Sequence, residues 1–172
     1  QLLNVTGAAF PPADGSAGSE YAVSWVDWPN GAARPAAAAF DGGEGIWYHG
    51  GNVYFATKGD NRVWRYDGAL STLGVFYDDT LPGAGALTGL DNMLGNATGD
   101  LFVAEDGGNQ QIVALTQAGA VIPLLQVTGH GDSELTGPAF SPDGRRLYFS
   151  SQRGPGVDGG AGITYEVSGP FV

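Results

Sequence analysis

The apolar stretches of this chain are short and are cut at regular intervals by turn residues. Val53-Tyr54-Phe55-Ala56-Thr57 runs into Lys58-Gly59-Asp60-Asn61, Leu101-Phe102-Val103-Ala104 into Glu105-Asp106-Gly107-Gly108-Asn109, and Leu147-Tyr148-Phe149-Ser150-Ser151 into Gln152. The runs recur at spacings of about 48 and about 46 residues, close to the ~40–50 residue period of propeller blades. Each is approached through a turn, His49-Gly50-Gly51-Asn52, Asn96-Ala97-Thr98-Gly99-Asp100 and Ser141-Pro142-Asp143-Gly144-Arg145. In the last of these, Pro presets φ and Gly accepts a positive φ, which makes a strong hairpin signal. A second β-type segment follows each run: Val63-Trp64-Arg65-Tyr66, Ile112-Val113-Ala114-Leu115 and Ile163-Thr164-Tyr165-Glu166-Val167. Outer strands follow around Leu73-Gly74-Val75-Phe76-Tyr77 and Val121-Ile122-Pro123-Leu124-Leu125. Strand, turn, strongly apolar strand, turn and two more strands is the order of a four-stranded blade. Runs such as Leu101–Ala104 lack polar alternation, as strands covered on both faces by neighbouring blades do.

The pattern predicts an all-β chain of about three to four four-stranded β-propeller blades. Residues 40–172 divide into blades at about 40–85, 86–130 and 131–172, and residues 1–39 read as a partial blade and a loop. There, Tyr21-Ala22-Val23-Ser24-Trp25-Val26-Asp27-Trp28 reads as a strand completing an earlier blade, and Asn30 to Ala39 as a loop whose Ala-rich part is interrupted by Pro35. Asp-Gly pairs at Asp14, Asp41, Asp67, Asp106, Asp143 and Asp158 mark turns. Propellers close with typically four to eight blades, so the chain is expected to form part of a larger propeller of the six-bladed type. The remaining half or a second chain would close the ring. An open arc is expected to expose apolar faces at both ends and to associate.

Composition sharpens this picture. With 30 Gly in 172 residues, turns are frequent and a helical bundle is excluded. Seven Lys+Arg against 18 Asp+Glu leave a net charge of −11, which repels phosphate backbones and excludes nucleic acid as a natural partner. No run of about 18 apolar residues predicts a membrane-spanning segment. The absence of Cys excludes disulfides, thiolate zinc sites and Cys nucleophiles in this stretch, and the excess of carboxylates points to hard cations such as Ca²⁺ or Mg²⁺. A merely solvated acidic surface is the alternative.

The blade pattern says where such cations would bind. Residues just before the innermost strand of each blade line one rim of the central channel. Those positions are Asp41-Gly42-Gly43-Glu44-Gly45, Leu90-Asp91-Asn92 and Glu134-Leu135-Thr136-Gly137. Glu44, Asp91 and Glu134 are candidate ligands, because a carboxylate set against apolar strand residues needs a partner once buried, and Asn92 adds an oxygen. At the ends of the strongest strands Lys58, Glu105-Asp106 and Gln152 hold equivalent places. Glu105 and Asp106 either extend the metal set or are strand-end acids satisfied by turn amides. Ca²⁺ takes about 6–8 oxygens, so these residues form part of a site. His49 and His130 lie in loops with no recognisable nucleophile context, and no GxSxG, P-loop or HExxH occurs. Trp47, Tyr48, Trp64 and Tyr66 read as blade-packing aromatics. Lys58 and Arg153 either meet an anionic substrate or are surface cations.

The motifs FDGGEGIWYHGGNVYFAT, GLDNM, GDLFVAEDGGN, ALTQAGAVIPLLQV, SELTGPAFSPDGRRLYFSSQRG and GITYEVSGPF, in this order, resemble the C-terminal half of PhoX-type alkaline phosphatases over roughly residues 20–172. YAVSWVDWPN is similar to the family's aromatic strand before its central motif. The resemblance implies a propeller that binds calcium and iron through acids around its channel, hydrolyses phosphomonoesters and is exported by the twin-arginine route to the periplasm or beyond. Within it, Glu44 matches the acid of the family's Arg-x-Glu-Gly motif, Asp91-Asn92 its Pro-Asp-Asn, Glu105-Asp106 its Glu-Asp-Gly and Glu134 its Ser-Glu. Gly42 stands where phosphatase members carry Arg, which removes the cation expected to hold phosphate. The iron-ligating Cys belongs to the family's N-terminal half, so iron is implied only together with that half. The expected function is thus a calcium-dependent phosphoric monoester hydrolase acting on a small phosphate ester. A non-catalytic calcium-binding extracellular propeller is the alternative, and a lactonase-like calcium propeller has less motif support.

Overall fold

The computed structural model describes residues 1–6, 10–12, 17–33, 35–80, 87–155 and 160–171. In chain order the strands are β1 (Leu2–Val5), β2 (Glu20–Val26), β3 (Gly43–His49), β4 (Asn52–Thr57), β5 (Arg62–Asp67), β6 (Thr72–Asp78), β7 (Leu90–Gly95), β8 (Leu101–Glu105), β9 (Gln111–Leu115), β10 (Val121–Gln126), β11 (Leu135–Phe140), β12 (Arg146–Ser151) and β13 (Ile163–Ser168). Among the described residues there is no helix, and so none long and apolar enough to cross a membrane.

The strands pair antiparallel in three sheets, ordered β1-β2-β6-β5-β4-β3, β10-β9-β8-β7 and β11-β12-β13. Turn chemistry sets the hairpins. Gly50 and Gly51, both at positive φ, connect β3 to β4, and Gly144 (φ 65°) closes the Pro-Asp-Gly turn into β12. The first strand of each set, β3, β7 and β11, faces the next: β3 packs beside β7, and β7 beside β11. Contact between β3 and β7 is close because Gly45 has no side chain; a Cβ there would stand 2.5 Å from the Met93 nitrogen and 2.6 Å from the Asp91 carbonyl oxygen.

Three cores follow from strand alternation. Tyr54, Ala56, Val63 and Tyr77 of the first sheet meet Leu101, Val103, Val113 and Leu115 of the second. On the opposite face of the second sheet, Phe102, Ala104, Ile112 and Ala114 meet Leu135, Leu147 and Phe149 of the third. Strand β8 is therefore buried along its whole length, which is why its sequence shows no polar alternation.

The third core overturns two expectations. Strand β2 does not complete a separate earlier blade; it pairs with β6, through Glu20↔Gly74, Tyr21↔Leu73 and Ala22↔Thr72, and extends the first sheet. With β1 it helps bring Leu3, Val5, Phe10, Val23 and Phe40 over Phe55, Trp64, Leu73 and Val75, on the side of the first sheet away from the second. Phe10 and Phe40 lie 5.4 and 5.3 Å from the Trp64 ring. The far face of the third sheet is polar: with Leu147 and Phe149 turned to the core, alternation places Arg146, Tyr148, Ser150, Thr164 and Glu166 outward. There Arg146 pairs with Glu166 at 3.3 Å and Ser150 with Thr164 at 3.0 Å. Among the described residues, the far face of the first sheet is thus covered by the chain itself and that of the third is polar.

Of the aromatics read as packing residues, Trp64 is fully buried, but Tyr48 is 67% exposed, and Trp47 leans its indole on Gly95. Residues 36–39 form no helix. Asp14 and Asp158 lie outside the described residues.

Candidate functional site

Each sheet delivers side chains to the same rim through the same backbone framework. The amide after the second strand donates to the carbonyl before the first: Lys58 to Gly42 (2.8 Å), Asp106 to Gly89 (2.8 Å) and Gln152 to Glu134 (2.9 Å). Register then slips where the first strand begins, between Gly43 and Ile46 in β3 and between Leu90 and Met93 in β7. A bulge re-aims the side chains it carries, and here they are Glu44 in one sheet and Asp91 in the next. The third sheet shifts later, between Thr136 and Ala139, and contributes Glu134 from the residue before its strand.

Asp91, Asp106 and Glu134 converge. One carboxylate oxygen of each lies within 4.8 Å of the others, and Asp91 is buried while Asp106 and Glu134 are half-buried. An isolated β-bridge pairs Asp106 with Glu134. Two cations flank the group. Lys58 bonds the Oδ2 of Asp106, and Arg153 reaches Oδ1 of Asp106 at 3.5 Å and Oε2 of Glu134 at 3.3 Å. Burial pushes the Asp91 carboxyl above the ordinary carboxylate range, reinforced by Glu44 and Asp106 and opposed by Lys58. Glu134 is raised for the same reason, by burial and then by Asp106 and Asp91, against Arg153 and Lys58. The hydrogen bond to Asp106 raises Lys58. Negative charge is in excess at this rim.

The other predicted residues are not members of this triad. Glu44 is exposed and acts on Asp91 and Lys58 through its charge. Asn92 is a joint between sheets: its Oδ1 accepts from the Thr136 hydroxyl (2.6 Å) and the Gly137 amide (2.8 Å), and its Nδ2 donates to Asp91 (2.7 Å). Glu105 is fully buried and accepts the Thr88 and Gln111 amides, one on each oxygen, both at 2.8 Å. Those amides partly offset the burial that raises its carboxyl.

Sequence reasoning missed a buried polar chain behind the site. His130 Nδ1 lies 2.8 Å from the Ser151 hydroxyl, which donates to Ser133 (2.8 Å), and Ser133 accepts the Arg153 amide (2.9 Å). This chain ties the loop before Glu134 to the segment carrying Arg153. A signal exists in the pattern: Thr57, Glu105 and Ser151 are all polar, all buried and all end the second strand of their sheet.

The architecture has known counterparts. Luciferin-regenerating enzyme matches with a TM-score of 0.56 and 22% identity, over 77% of this chain and 47% of that one. Streptogramin B lyase matches with a TM-score of 0.53 and 22% identity, over 76% of this chain and 42% of that one. A protein of unknown function from Bacteroides thetaiotaomicron matches with a TM-score of 0.54 and 15% identity, over 69% and 28%. At these identities the likeness establishes the fold, an all-β arrangement of propeller blades, and this chain spans half or less of each of those proteins. No curated protein matches it in sequence. Residues 72–156, which carry Asp91, Asp106 and Glu134, match the family model of alkaline phosphatase PhoX, so that the resemblance read from the motifs is borne out over this stretch.

Proposed function

We propose that this chain is the C-terminal half of a PhoX-type, calcium-dependent phosphoric monoester hydrolase that works in the periplasm or outside the cell. The convergence of Asp91, Asp106 and Glu134, within the stretch that matches alkaline phosphatase PhoX, carries this reading. The donor set fits a hard dication: its ligand atoms are carboxylate oxygens, and Asp91 and Glu134, raised first by burial and then by neighbouring acids, would gain from a bound cation. Three carboxylates are fewer than the roughly six to eight oxygens calcium takes, which leaves positions for water and substrate. A cation held by Asp91, Asp106 and Glu134 would supply Lewis acidity toward a phosphoryl oxygen and toward water. This chain's own contribution is positional. The β7 bulge aims Asp91, Asn92 fixes its carboxylate, the Asp106–Glu134 bridge sets the other two acids, and Lys58 and Arg153 hold positive charge at the edge. Iron enters this scheme only with an N-terminal half.

Phosphomonoester turnover by the complete protein, measured before and after chelation and again with calcium restored, tests the reading. Activity lost and recovered with the metal is the expected result. Failure to find metal-dependent turnover of any phosphomonoester overturns it.

Two features favour a second reading, a non-catalytic calcium-binding extracellular propeller. Gly42 stands where phosphatase members carry Arg, and the acid triad draws on the second and third sheets, as a blade-junction cement would. On that reading chelation lowers the melting temperature and no hydrolysis accompanies the metal.

A further inference from the structure

We propose that Lys58 and Arg153 are exchangeable counter-ions of the carboxylate cluster, paired with Asp106 and Glu134 while it carries no metal and turned to a phosphoryl-class oxyanion once a divalent cation engages those acids. This rests on the calcium reading of the same cluster.

The pairing pattern singles these two out. Among the described residues, Arg62 pairs with Asp60 and Asp78, Arg65 with Glu20 and Arg146 with Glu166, all away from the cluster. Lys58 directly follows β4 of the first sheet and Arg153 lies just past β12 of the third, so that Asp106, from the sheet between, is approached from both sides. Lys58 takes its Oδ2 and Arg153 faces its Oδ1. Asp106 thereby presents a two-oxygen anion spanning two cations. A phosphoryl group presents paired oxygens in the same manner, and Lys and Arg recognise both, Lys as a point charge and Arg as a planar fork.

Neither cation is locked in place. Their side chains are 36% and 39% exposed, and Arg153 contacts the two acids at 3.5 and 3.3 Å. Arg153 is anchored through Nε to the Asp132 carbonyl (2.7 Å) and its Nη1 also donates to Gln152 Oε1 (3.0 Å), so the stem stays at the rim while Nη2, which among the described residues reaches only Asp106 at 3.5 Å, can change partner. Gly42 lies beside Lys58, and a Cβ there would stand 3.8 Å from the Lys58 Cβ, an ordinary contact.

Exchange couples the two ligands. A cation that takes the carboxylates frees Lys58 and Arg153 for an anion, and an anion that takes Lys58 and Arg153 frees the carboxylates for a cation. Each must then raise the affinity of the other by the same factor.

Calcium titrated calorimetrically into the full chain, with and without inorganic phosphate below the level that precipitates calcium, tests this. Phosphate is expected to tighten calcium binding about five-fold or more. In Lys58→Met and Arg153→Gln, calcium should bind more tightly than in the unmodified protein when phosphate is absent, since a competing cation is gone, and the tightening by phosphate should vanish. Phenyl phosphate in place of inorganic phosphate separates the sources: tightening by both assigns esters as well as the free ion, and by inorganic phosphate alone, the ion. Calcium binding that phosphate leaves unchanged, or variants that keep the tightening or bind calcium more weakly, overturns the exchange and leaves the calcium reading standing. Absence of calcium binding in the unmodified protein overturns the calcium reading itself, and the exchange with it.

Discussion

A carboxyl group that holds its proton above the ordinary range in the folded protein works against the fold when it ionises. Asp91 and Glu134 are such groups, raised by burial and by their neighbouring acids. In the presence of a chelator the folded state therefore binds more protons than the unfolded state from the ordinary carboxylate range, near pH 4, upward. Their stabilising contribution is full below that range and is lost as pH rises through the raised folded values. Asp91→Asn removes the most buried of these charges at nearly constant shape. It is expected to raise the melting temperature of the chelated protein at neutral pH by a few degrees, flatten the decline with pH, and abolish the rise with calcium that the proposed site predicts. Melting curves across pH, with chelator and with calcium, check this; an unaltered pH profile in Asp91→Asn counts against the repulsion. These acids were legible in sequence because an acid at the edge of an apolar strand is a local pattern. What Glu105 and Asn92 do was not, since the same residue types serve as ligands or as joints according to which amides and hydroxyls lie opposite them.

Between elements, the site depends on how closely β3 and β7 approach. Gly45 permits that approach, and a methyl group there would meet backbone atoms of Asp91 and Met93, which cannot yield as a flexible side chain would. Gly45→Ala is expected to cost about 1–3 kcal/mol, as overpacking does, and to weaken calcium binding because it displaces the bulge that aims Asp91. Asn92→Ala acts at the next junction. It takes partners from Thr136, Gly137 and Asp91 together, and a loss of about 1–3 kcal/mol in denaturant unfolding is expected. Stability equal to the unmodified protein would show that the second and third sheets are not held together there. The strand order within each hairpin set was readable from turn residues and apolar runs. The place of β2 was not: it joins β6 across about 46 residues of chain, a pairing no local pattern encodes.

At the scale of the whole molecule, the ends of the arc differ from what the blade pattern alone suggests. The pattern identifies residues that pack between blades but cannot say what covers the first sheet, because Phe10 and Phe40 lie in segments without strand periodicity. In the structure their rings meet Trp64 and, for Phe40, Phe55 at 5.1 Å, so this segment covers the face of the first sheet that lies away from the second. If the segment is what keeps that face from associating, its removal must both destabilise the fold and expose an adhesive surface. Phe40→Ala is expected to cost about 2–3 kcal/mol, below the usual range for a fully buried Phe since Phe40 is only half-buried. It should also increase binding of a hydrophobic dye and make the mass measured by light scattering rise with concentration. The polar far face of the third sheet supplies the internal control: Tyr148→Ser, on that side, should change neither dye binding nor mass. Association of the unmodified protein that Phe40→Ala leaves unchanged would mean that contact is made elsewhere than the capped face.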